Sequence, residues 1–188
     1  MSTTATNAVA SNTEGIPLQQ EGLQKEGLLT IVLGIAVVLA IMNTSMFNLA
    51  LPKITAYFQL TDSVSSLIVT GYSIMFAISS ITYSRLSDFV PLRRLLVIGI
   101  SILGLAAIGG LFSNSFPLLL AMRVLQAVGA GAVISLAMVL FTRYIPLERR
   151  GKAMAFIMSA VSLGLGLGPV VGGAIVDYMG WRFLFLIT

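Results

Sequence analysis

Three long intervals of this chain carry no charged side chain: Glu26 to Lys53, Asp62 to Arg85, and Lys152 to Asp177. Each reaches the roughly 20 residues that an α-helix needs to cross the hydrocarbon core of a bilayer. The stretch from Leu95 to Thr142 is too long for one crossing, and Ser113-Asn114-Ser115-Phe116-Pro117 supplies a polar, proline-bearing turn that divides it in two. Five complete spans follow. A sixth is expected to begin near Trp181 and Arg182 and to be cut short at Thr188, since its few apolar residues cannot cross. The chain therefore reads as an all-α polytopic membrane protein, with a transmembrane bundle over residues 28–188. Residues 1–27 are rich in Ser, Thr, Asn and Gln, carry Glu14, Glu21, Lys25 and Glu26, and lack apolar periodicity, which predicts a disordered tail. No basic cluster or small-residue cleavage site marks that tail as a secretory signal.

Composition agrees with immersion in lipid and removes whole classes of chemistry. Hydrophobic residues make up 57% of the chain and charged residues 10%, too little polar surface for a soluble domain of this size. There is no Cys and no His, so disulfides, thiolate metal sites, cysteine or serine–histidine nucleophiles and histidine proton relays are excluded within it. No enzyme, cofactor or metal centre is expected. The net charge of +4 comes from short basic clusters between apolar runs, a pattern that orients a membrane protein and does not bind nucleic acid. With the tail placed in the cytoplasm, the inner segments carry Lys25, then Arg85, Arg93 and Arg94, then Arg143, Arg149, Arg150 and Lys152; the outer segments carry only Lys53 and Arg182.

Four motifs then carry a family resemblance. Ser84-Arg85-Leu86-Ser87-Asp88-Phe89-Val90-Pro91-Leu92-Arg93-Arg94, between spans two and three, resembles the signature loop of the major facilitator superfamily, with Asp88 on its acid and Arg93 and Arg94 on its basic pair. Ser84 and Pro91 stand where the family has glycines. In span four, Arg123-Val124-Leu125-Gln126-Ala127-Val128-Gly129-Ala130-Gly131 resembles the family's Arg-x-x-Gln-Gly-x-Gly-x-Gly, with Ala127 for its first glycine. Span five holds Gly164, Gly168, Pro169 and Gly172, similar to the glycine-proline motif of drug/proton antiporters. Span one ends in Asn48-Leu49-Ala50-Leu51-Pro52, like the drug-efflux branch that includes tetracycline exporters of the fourteen-helix type; Asn43 occupies a place where the family often has Asp.

Each motif has a plainer reading beside it. Asp88, Arg93 and Arg94 can lock two bundles in one state of a rocking transporter, or merely set orientation. Arg123 and Gln126, three residues apart, share a helix face and, with Asn43 and Asn48, are candidates to line a central cavity; alternatively Arg123 snorkels toward headgroups. Glycines recurring every fourth residue make a close-packing groove whether or not antiport is involved. The resemblance implies a six-helix half-bundle of two three-helix inverted repeats, in a bacterial inner membrane with its N-terminus cytoplasmic. It further implies export of tetracycline-like or other amphipathic drugs in exchange for protons, with a C-terminal half completing the site. A metabolite or sugar facilitator of the same fold, or a membrane protein that packs against a partner without transporting, remain as alternatives. All seven acids lie in the tail or at loop edges, so no span offers a carboxylate for proton coupling; some tetracycline exporters carry one where this chain has Leu165.

Overall fold

The computed structural model describes the backbone of residues 15–144 and 147–187. Side chains are described for residues 31–143, 150–152 and 154–187; residues 1–14, Arg149 and Thr188 lie outside these. The elements in order are α1 (Gly15–Phe58), a single turn α2 (Asp62–Ser65), α3 (Leu67–Leu86), α4 (Leu92–Leu111), α5 (Phe116–Tyr144), α6 (Leu147–Tyr178) and a terminal 3-10 helix (Trp181–Ile187). Five segments are long and apolar enough to cross a bilayer: Ile31–Phe58, Asp62–Leu86, Leu92–Leu111, Phe116–Arg143 and Arg150–Tyr178. These are the three spans that the charge-free intervals delimit and the two that the Ser113–Pro117 turn separates. Residues 15–27, read above as tail, continue α1 as helix. Gln, Glu, Lys and Leu are good helix formers, and extending a nucleated helix costs little.

Helix ends follow local chemistry. Pro117 sits in the first turn of α5, where a missing N–H breaks no helical hydrogen bond. Gly180 closes α6 with φ +96°, a left-handed conformation open to glycine, and its N–H donates to the Ile175 carbonyl at 3.0 Å.

Packing divides the bundle into two sets. α6 lies against α1, and α5 is sandwiched between α3 and α4, while the terminal 3-10 helix touches α1, α4 and α6. The α1–α6 pair runs parallel, because Gly164 faces Val38 and Ile41, Gly168 faces Met42 and Ser45, and Gly172 faces Met46. The α3–α5 pair is also parallel, with Gly71 beside Val124 and Gly131 beside Ser79. Buried apolar residues concentrate where α1 meets the terminal helix, including Met46, Phe47, Ile54, Leu184 and Phe185. Large apolar side chains such as Ile74, Ile81, Ile98 and Leu105 point outward, as a lipid-immersed surface allows.

Candidate functional site

The strongest polar feature of the bundle lies where α1, α3 and α5 meet. Arg123 is 1% exposed, Asn43 3% and Gln126 0%, all inside spans of high hydropathy. One guanidinium nitrogen of Arg123, Nη1, donates to Asn43 Oδ1 at 3.0 Å and to Gln126 Oε1 at 2.9 Å. Its Cζ stacks 3.7 Å from the Phe47 ring centroid and 4.4 Å from that of Tyr72. The Tyr72 hydroxyl lies 3.1 Å from Thr44 Oγ1. Phe47 follows Asn43 by four residues on α1, and Gln126 follows Arg123 by three on α5, so two helical repeats place three groups around one charge, and α3 adds Tyr72.

That geometry bears on the snorkelling reading of Arg123. Snorkelling requires the head to leave the hydrocarbon region, and here the guanidinium is enclosed by protein. The cation is held by amide oxygens and aromatic faces, a desolvated cation–π contact being worth about 2 kcal/mol. Among the described residues no carboxylate accompanies it: the two ion pairs, Lys53–Asp177 and Arg143–Asp88, both sit at bundle ends. Arg123 Nε and Gln126 Nε2 are buried without a hydrogen-bond partner among the described residues. Asn48 does not join the site. Five residues past Asn43, it points about 140° round the helix, and it is exposed.

Asn43 and Tyr72 also contribute the polar groups of an otherwise apolar cavity of about 370 Å³, walled by Val32, Ala36, Leu96, Leu103 and Val133 among others. The cavity lies on the side of Arg123 that faces the basic loops, between α1, α4 and α5. A compartment of this kind takes an apolar body and offers one or two hydrogen bonds at its end.

At the basic end, Asp88 Oδ1 accepts from Arg143 Nη2 at 2.6 Å, and Arg143 Nη1 donates to the Ser87 carbonyl at 3.1 Å. The α3–α4 turn is thereby tied to the end of α5. Arg93 and Arg94, the basic pair of the motif, are exposed at the start of α4 and are not the partners of Asp88. The role of Arg143 was not legible from the loop motif, because it lies 55 residues downstream. The opposite end has its own ties. Lys53 pairs with Asp177 at 2.6 Å, and Arg182 Nη2 donates to Tyr57 Oη at 3.1 Å, Asn114 Oδ1 at 3.1 Å and the Ser113 carbonyl at 3.3 Å. The two cations expected outside thus have local partners.

The glycine motif is a packing seam. A Cβ on Gly168 would stand 2.6 Å from Ser45 Cβ, and one on Gly172 would stand 2.8 Å from Met46 Cγ. Gly164 approaches the Val38 carbonyl, its would-be Cβ lying 2.9 Å away. Pro169 lacks the N–H that would pair with the Leu165 carbonyl, and Ser45 Oγ of α1 reaches that carbonyl at 3.5 Å. The freed acceptor is served from across the seam.

A family model described as Major Facilitator Superfamily matches residues 33–188. The chain is 28% identical over 166 residues to the riboflavin transporter RibZ of Clostridioides difficile, covering 88% of this chain and 36% of that protein. It is 30% identical over 175 residues to the uncharacterized transporter YebQ of Escherichia coli, covering 93% of this chain and 37% of that one. Among solved structures, a bacterial homologue of the human lysosomal transporter Spinster, inward-facing and unoccupied, superposes with a TM-score of 0.72 at 19% identity, over 85% of this chain and 36% of that one. The chain spans little more than a third of the length of these relatives.

Proposed function

The chain belongs to the Major Facilitator Superfamily, and from that premise we propose that it forms the N-terminal bundle of a secondary transporter that exports amphipathic, tetracycline-like compounds in exchange for protons. The observation that carries this reading is the buried Arg123 cluster beside an apolar cavity whose polar groups are Asn43 and Tyr72. An apolar body fits the walls, and acceptor groups on the substrate are drawn toward a cation that has no carboxylate beside it among the described residues. The same charge repels permanently cationic compounds, so neutral or acidic planar drugs fit better than quaternary amines. Exchange with protons rests on the likeness of Gly164, Gly168, Pro169 and Gly172 to the antiporter motif. The described spans hold acids only at their ends, Asp62 and Asp177, so in this reading the proton carrier lies outside their interior, in a second bundle that closes the cavity. Asp88 and Arg143 act as a gate on the cytoplasmic face of an inner membrane, with the N-terminus on that face.

One observation favours a second reading. RibZ is named as a riboflavin transporter, and riboflavin, a planar ring system rich in acceptors, also suits the cavity. A susceptibility panel separates the two, with the full-length gene expressed in a bacterial host lacking its own efflux pumps. Raised tolerance to tetracycline-like compounds, lost in Arg123→Ala at equal membrane abundance, is expected. Unchanged tolerance together with increased riboflavin release would shift the assignment to metabolite export.

A further inference from the structure

A second polar cluster lies between α3 and α5 near the basic end, apart from the Arg123 site. A groove of about 480 Å³ there is lined by Ser80, Ser84, Arg85, Ser135 and Thr142 on its polar side, with Val139 on its apolar side. Ser80 and Ser84 share one face of α3, and Ser135 and Thr142 one face of α5, so helical spacing gathers four hydroxyls along one channel. Hydroxyls at this depth need partners, because hydrocarbon offers none. Two of them find partners on their own helix: Ser135 Oγ donates to the Gly131 carbonyl at 2.6 Å, and Thr142 Oγ1 to the Val139 carbonyl at 2.9 Å. Ser80 Oγ is shielded from solvent and has no hydrogen-bond partner among the described residues. Arg85, exposed in the last turn of α3, is in neither of the two ion pairs of the described residues. Asp88, three residues on, does not neutralise it, since Arg143 holds that carboxylate at 2.6 Å.

We propose that this groove binds the anionic head of an amphiphile, a carboxylate or a phosphate. Arg85 and Ser84 take the charge at the mouth, the Ser80 hydroxyl donates to a second oxygen further in, and the apolar body lies against Ile81, Met138 and Val139. Donors gathered at one end and apolar walls at the other match such a molecule better than a neutral or cationic one. The inference rests on the transport reading only for its purpose, which is to load acidic substrates from the basic side, and binding itself requires no transport.

The test is a fluorescence titration of the purified protein in phosphatidylcholine nanodiscs with a dansyl-labelled fatty acid, alongside its uncharged methyl ester. The acid should bind at least about tenfold more tightly than the ester, the scale of a charge-assisted hydrogen bond. Arg85→Gln should remove that preference, Arg85→Lys should restore most of it, and Ser80→Ala should weaken the acid about threefold. Arg93→Gln deletes the same charge outside the groove and should leave binding unchanged. Adding phosphatidylglycerol to the discs identifies the source: competition points to a lipid headgroup and no competition to a free amphiphile, and each keeps the anion site. Equal affinities for acid and ester, or equal losses in Arg85→Gln and Arg93→Gln, would overturn the proposal. Binding that persists in a protein without efflux would leave the site standing and remove only the transport reading.

Discussion

Arg123 bears the largest electrostatic cost of any described residue, a guanidinium taken wholly out of water. Its neighbours offset that cost only as a set. Replacing Asn43 by Leu removes one of the two acceptors on Nη1 and is expected to destabilise the bundle by about 1.5–3 kcal/mol, the range for a hydrogen bond to a charged group. Denaturant unfolding in detergent reads this directly. Asn43→Asp places a carboxylate at the same distance and should leave the fold intact, raising its midpoint; a lower midpoint would mean that the site is tuned for a neutral partner. Arg123→Lys should not substitute, because an ammonium cannot both fork to two acceptors and lie flat between two rings. At this scale the sequence was informative where helical spacing decides. The Arg123 and Gln126 pair follows from a spacing of three, whereas the choice of Asn43 over Asn48 depends on the rotation of α1 against α5. That rotation is fixed by packing of Phe47 and Met46, which no local pattern encodes.

Between elements, the decisive contact is the parallel seam of α1 and α6. The fourfold glycine repeat announced a groove, but its occupant is a face of a helix some 120 residues earlier in the chain, as the span from Ser45 to Leu165 shows. Gly168→Ala is expected to cost about 1–3 kcal/mol, because its Cβ would meet Ser45 Cβ at 2.6 Å and force the helices apart. Gly166 lies on the same helix with open space at its Cβ position, so Gly166→Ala should be neutral or slightly stabilising. Thermal unfolding of the two variants, measured side by side, distinguishes a seam from a generally flexible helix; equal losses would refute the seam. Pro169 was legible as a helix disruptor. Its repair by the Ser45 hydroxyl was not, since the donor comes from another span.

For the molecule as a whole, the five crossings were readable because bilayer thickness converts directly into run length, while the start of α1 and the pairing of spans were not. The orientation proposed from cation asymmetry can be checked in this cysteine-free chain. Phe89→Cys, in the exposed α3–α4 turn, should react with an impermeant thiol reagent only after cells are opened, and Ser115→Cys, exposed in the α4–α5 turn, should react in intact cells. The reverse pattern would invert the topology. The Asp88–Arg143 pair is exposed on both sides and so contributes about 0–1 kcal/mol to stability; Asp88→Asn should therefore leave folding unchanged while slowing export, and an unaltered rate would reduce the pair to an orientation signal. The central claim is tested most directly in everted membrane vesicles from a pump-deficient host expressing the full-length gene. Respiration-energised vesicles should take up tetracycline saturably, uptake should collapse on adding a protonophore, and Arg123→Ala vesicles with equal protein should show none of it; uptake no greater than in vesicles without the gene would contradict the account.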